Sequence, residues 1–181
     1  MSPLLRKGLL VAALHVVIVA SLGAKLAVDR ATRPRVWARA APVDPNLPIR
    51  GRYVSLRLEV AIGQGLDLPV SRTVVNPNGS TRTPPSPSIP IVLSVLDQQL
   101  VALPSSGSSG LYARASQRDG QPVGVLEPPL AYFIPEHVAD PSRRAAGEEL
   151  WVEVTIPRRG APRPIRLGVR KDGVLTPLEF N

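Results

Sequence analysis

The side chains able to do chemistry are few, and their spacing matches no familiar catalytic set. The 181 residues hold two histidines and no cysteine, which excludes a thiolate zinc site, a cysteine nucleophile and a disulfide framework. His15 lies inside a long apolar run. There, a neutral imidazole tolerated in the run or against a partner helix is a simpler reading than a proton relay. A Ser-His-Asp arrangement would have to use His137, and no Gly-x-Ser-x-Gly elbow occurs in the chain. His137 with Glu136, Asp140 or Glu148 lacks any recognised ligand spacing. A Ser/Lys pair needs a lysine made less basic by burial; Lys171 is the only lysine of the expected folded part, and Ser55 would be the nucleophile. Ser55 falls on the outward stripe of an expected strand, and Lys171 directly precedes an Asp-Gly turn, where water reaches it. Glycine-rich phosphate loops are missing, and aromatics are only 4% of the chain, too few for a single-strand stacking platform. The reading leans away from an enzyme and identifies no cofactor, no metal site and no small-molecule substrate.

The stretch Leu9 to Val28 determines where any chemistry would take place. A bilayer core of about 30 Å needs about 20 mostly apolar residues as a helix. This run has that length, interrupted only by His15, Ser21 and Lys25, and Lys25 is near enough to the end to snorkel. An uncleaved single-pass anchor is preferred over a cleaved signal, because the apolar part is long for a signal. Ser21-Leu22-Gly23 before Ala24 would be a mediocre cleavage site. A buried core helix comes third, since the run shows no polar face. Lys and Arg flank the span on both sides, so charge counting leaves its orientation open.

The net charge of +8 is concentrated near the span. Residues 1–40 carry seven basic residues and one acid; residues 41–181 carry fifteen and thirteen. The excess therefore reads as a solvated, headgroup-facing flank, and no nucleic acid is expected as a partner. Of the basic residues nineteen are arginine and three lysine, which looks like coding bias as much as function.

Three segments are expected: an anchor over 1–28, a stiff Pro/Arg-rich juxtamembrane spacer over 29–50, and a β-rich domain over 51–181. Trp37 in the spacer is either an interfacial anchor or packs on the folded domain. Gly51 to Ile62 alternates with period two, Val54, Leu56, Leu58 and Val60 on one face. Residues 76–90 hold five prolines and read as an exposed, mobile loop or hairpin tip. Residues 91–103 read as strand, turn near Asp97-Gln98, and strand, with a helix as the competitor. Asp-Gly turns are expected at 118–121 and 170–174, and a short helical turn within 135–149. Leu150 to Pro157 is the best strand, with Trp151, Glu153 and Thr155 facing outward. Seven to nine short strands make the fold class mainly β, antiparallel, after one transmembrane helix.

Two short segments, GRYVSLRL at 51–58 and AYFIPEH at 131–137, carry a resemblance. Gly51, Tyr53 and Leu56 match the first motif of the GDYXXLXY family of bacterial membrane-anchored proteins. Arg52 stands where that motif has Asp, and Leu58 where it has its second Tyr. Tyr132, Phe133, Pro135 and Glu136 match its second, "YF-hydrophobic-PE" motif. In order of elements the resemblance spans roughly residues 5–181. It implies an extracytoplasmic domain on an inner-membrane anchor, often beside a multi-pass membrane protein, with no known activity. Any role of an acid at position 52 is absent here. From the residues alone, Tyr132 and Phe133 are as well explained by core packing, Pro135 by a strand end and Glu136 by a local cap or ion pair. The function expected is a non-catalytic envelope protein whose β-domain binds or braces a membrane partner. Two alternatives stand beside it: a tethered hydrolase or peptidase using Ser55 with Lys171, or His137, and a cytoplasm-facing domain holding anionic lipid or nucleic acid through residues 30–39.

Overall fold

The structure, a computed structural model, describes residues 3–43, 53–71, 73–76, 78–107, 109–158 and 160–180. Its twelve described strands and one helix divide into two units, Met1–Arg33 and Pro34–Asn181.

The first unit is the helix α1, Pro3–Thr32. Proline is tolerated in the first turn because its missing N–H would have had no partner there. The helix stops before Pro34, which forces its predecessor toward extended geometry. Its last turn is held by an Asp29–Arg33 ion pair at 3.0 Å, spaced i,i+4 with the acid first. Two polar side chains within the span, His15 and Ser21, bond to the helix itself. His15 Nδ1 lies 2.8 Å from the Val11 carbonyl oxygen, and the Ser21 hydroxyl donates to Ile18 O at 2.8 Å. Such back-bonding is how a polar group persists in an apolar helix. Residues 7–32 are long and apolar enough to cross a membrane, and no part of that window is buried by protein. The helix is thus consistent with a membrane anchor or a signal sequence, and no packing supports a buried core helix.

The second unit is an antiparallel β domain built around one long strand, β2 (Tyr53–Ile62). Val54, Leu56, Leu58 and Val60 are buried while their neighbours are half-buried, the alternation expected from the sequence. At its N-terminal half β2 lies between β1 (Arg35–Val43) and β9 (Leu130–Phe133). Beyond β1 the sheet continues through β10 (Glu148–Thr155), β11 (Arg163–Lys171) and β12 (Val174–Pro177). At its C-terminal half β2 pairs in parallel with β6 (Gln99–Pro104) and antiparallel with β8 (Gln121–Glu127). The strands β5 (Ile89–Leu96) and β7 (Tyr112–Arg118) complete a closed ring, β2-β6-β5-β7-β8. Closure leaves this ring without free edges. Leu56, Leu58, Ile91, Leu126, Val152 and Leu167 are fully buried where ring and sheet share a core.

Residues 35–43 correct the spacer expected over 29–50, because they form β1. Val36, Ala38 and Ala40 face the core, between Arg35, Trp37 and Arg39 on the other face. Small alanines and a proline disguise a strand, yet tertiary pairing overrides weak propensity. The folded unit accordingly begins at Pro34, not at residue 51. At the start of the proline-rich stretch a small hairpin pairs β3 (Val74–Val75), just before it, with β4 (Thr81–Arg82), inside it and exposed. Residues 135–147 form turns and bends with no helix, and Glu148 and Glu149 already belong to β10. In β10, Glu153 and Thr155, expected to face outward, are buried; Arg166 pairs with Glu153 at 2.6 Å and covers that face.

The tight turns are where the sequence indicates. Asp97-Gln98, Asp119-Gly120 and Asp172-Gly173 all have positive φ at both residues, the type I′ geometry whose twist matches flanking strands.

Candidate functional site

The two motif segments, some eighty residues apart in the chain, pair directly. In the β2–β9 register Tyr53 faces Phe133, Val54 faces Tyr132, Ser55 faces Ala131, and Leu56 faces Leu130. Alternation then sorts the motif residues by face. Leu56 and Leu130 are buried, and Tyr132 packs on the core, its ring 6.1 Å from Phe180. On the outer face the Tyr53 and Phe133 rings tilt at 58° with centroids 6.3 Å apart, a favourable aromatic pair. Phe133 is 73% exposed, the most exposed large apolar side chain among the described residues of the β domain. Pro135, half-buried, follows the end of β9 and accepts a turn bond from Val138 N–H at 3.2 Å; Glu136 is exposed. Gly51 lies outside the described residues, as does Arg52. Leu56 and Tyr132 are thus structural, while Tyr53 and Phe133 form a surface feature.

The structure does not bring the catalytic candidates together. Ser55 is on β2 and Lys171 on β11, with β1 and β10 between them. Lys171 is 59% exposed beside Glu148 at 3.5 Å, the opposite of the buried amine such a pair requires. His137 lies exposed in the turns after β9. Among the described residues no three His, Cys, Asp or Glu side chains gather as metal ligands.

A different constellation emerges at the other end of β2. Arg39 from β1, Glu59 from β2, Arg118 from β7 and Glu149 from β10 form a closed ring of alternating charge. Arg39 reaches Glu59 at 3.2 Å and Glu149 at 3.5 Å. Arg118 reaches Glu59 at 3.3 Å and also binds Glu149. Burial alone would raise the Glu149 pKa. The Trp151 indole N–H, donating at 3.1 Å, and the guanidiniums of Arg39 and Arg118 outweigh it and hold this carboxyl below its ordinary value of 4.5.

Beside the ring runs a groove of about 610 Å³ lined by both tryptophans of the chain, Trp37 and Trp151. Each is capped by an arginine: Arg166 lies 5.4 Å from the Trp37 ring centroid and Arg170 lies 5.1 Å from that of Trp151. The Trp37 indole crosses to β11 at Gly168, where an added Cβ would lie 2.8 Å from Cζ3. Only glycine admits so close an approach. The sequence marks Trp37 and Trp151 one at a time; their diagonal apposition follows from the β1–β10 register, in which Trp37 faces Glu153 and Arg39 faces Trp151.

In comparisons with family models, with curated proteins and with solved structures, nothing matches this chain.

Proposed function

We propose that this chain is a single-pass envelope protein of the GDYXXLXY kind, anchored in the inner membrane by its N-terminal helix. Its β domain stands outside the cytoplasm and binds or braces a multi-pass membrane protein, without catalysis. The observation that carries this reading is the outer face of the β2–β9 pair. There Tyr53 and Phe133, one from each motif, form a single aromatic patch with Phe133 largely exposed. Exposed aromatics that lose water on contact are the usual anchors of protein interfaces. The long apolar helix supports the membrane location.

The test is a photo-crosslinking residue at position 133 in the full chain in living bacteria, with the exposed Val174 as control position. The expected result is a discrete membrane-protein adduct from position 133 and none from 174. Equal or absent labelling at the two positions would sink the proposal. A reporter active only outside the cytoplasm, fused after Asn181, is expected to be active; an inactive reporter with an active cytoplasmic counterpart reverses the topology.

A further inference from the structure

The groove holding both tryptophans has unspent binding capacity. Four arginines line it, Arg35, Arg39, Arg118 and Arg170, against the carboxylates of Glu59 and Asp97. Arg39 and Arg118 are committed to Glu59 and Glu149. Arg170 is not. Its cross-strand neighbour is Glu149, but that carboxylate is taken by the charge ring and by the Trp151 indole. Arg170 instead lies over Trp151, and among the described residues it has no carboxylate partner. A guanidinium stacked on an indole keeps its in-plane N–H donors directed outward, which suits a bidentate oxyanion such as phosphate. The Trp37 indole N–H likewise makes no hydrogen bond among the described residues, and Trp37 lines the same groove.

Chain length limits which oxyanion this groove meets. α1 ends at Thr32, and Arg35, Trp37 and Arg39 follow within seven residues. Five extended residues, the interval from Thr32 to Trp37, span at most about 18 Å. A first strand tethered so closely is kept within reach of the zone where tryptophan and arginine favour lipid headgroups. We propose that the Trp37–Trp151–Arg170 groove binds the phosphate of an anionic phospholipid, the guanidinium of Arg170 taking the oxygens and the indoles covering the glycerol region. This site is separate from the Tyr53–Phe133 patch. It rests only on the anchored part of the functional reading, and the mass of the mature chain tests that part independently.

Because the chain has no tryptophan elsewhere, its tryptophan emission, excited beyond the absorption of tyrosine, reports this groove alone. The full chain is placed in nanodiscs of phosphatidylcholine, with or without phosphatidylglycerol, and quenched with neutral acrylamide. The anionic lipid is expected to lower the quenching constant about twofold, and about 0.5 M salt to reverse this. Arg170→Glu is expected to abolish the protection and Arg170→Lys to keep part of it, with unchanged strand content by circular dichroism. If Arg170→Glu loses strand content, Arg35→Gln gives the same reading from the other end of the groove. Equal quenching in the two lipid compositions overturns the proposal. So does full protection by millimolar soluble glycerol phosphate in neutral discs, which would make the ligand a free phosphate ester. A failed fluorescence test with an intact position-133 crosslink would remove the lipid site and leave the partner-binding reading standing.

Discussion

The two ends of β2 follow one alternation rule and reach opposite solutions on their outer face. At the start of the strand, Tyr53 meets Phe133, and the pair remains open to water. Six residues on, Glu59 is held by Arg39 and Arg118, its side chain only 16% exposed. The ionic end joins four strands and fixes how the sheet meets the closed ring of strands. The aromatic end joins only two and leaves its largest side chain exposed. A charge network with this many partners resists rearrangement because losing one member leaves another partly buried and unpaired. An exposed aromatic pair adds little to stability and leaves apolar area available for a partner. The comparison separates architecture from recognition on a single strand.

The strongest test of the shared scaffold is Leu56→Ala, at the fully buried position between the two ends. It should cost about 2–5 kcal/mol in chemical denaturation and degrade both ends together. A loss confined to one end would show that the halves fold separately. Next is Glu59→Gln, which leaves Glu149 as the one carboxylate shared by Arg39 and Arg118, with the exposed Asp119 also on Arg118; a loss of about 1–3 kcal/mol is expected, with position-133 crosslinking preserved.

A smaller effect comes from pH. Because the Glu149 pKa is lower in the folded chain than in the unfolded one, its contribution is fully present above about pH 4.5. That contribution is lost as pH falls further through the depressed value. The denaturation midpoint should drop in that acid range, and Glu149→Gln should remove part of the drop. An identical pH profile in this variant would contradict the network. Least costly to the fold is Phe133→Ala, expected to change stability by about 1 kcal/mol or less while abolishing partner capture. A large stability loss would reassign Phe133 to architecture and erase the contrast.

Local patterns in the sequence were enough to locate β2 and the turns. Alternation marks Val54 to Val60, and the Asp-Gly pairs at 119–120 and 172–173 mark hairpins, because both signals depend only on adjacent residues. β1 escaped for the opposite reason. Its inward residues Val36, Ala38 and Ala40 bury little apolar area each, and its outward arginines resemble a solvated flank. Only pairing with β10 and β2 makes it a strand. The buried Glu153 was equally hidden, since its cover comes from Arg166 on the next strand. The motif residues were visible singly, but a contact between Tyr53 and Phe133 across eighty residues cannot be read from either segment. The charge ring draws one residue from each of four strands, so no short window contains it.

β1 is the first strand of the domain to be synthesised, and it waits longest for its partner. Arg35 pairs with Thr155, 120 residues downstream, so one edge of β1 stays open until that residue has been made. Contacts of such long sequence separation form slowly, and an unpaired edge invites wrong pairing in the interval. The nascent chain therefore passes through a stage in which a half-built sheet carries an unpaired edge. Chaperone protection during that interval, not final stability, is what production of this protein should depend on most.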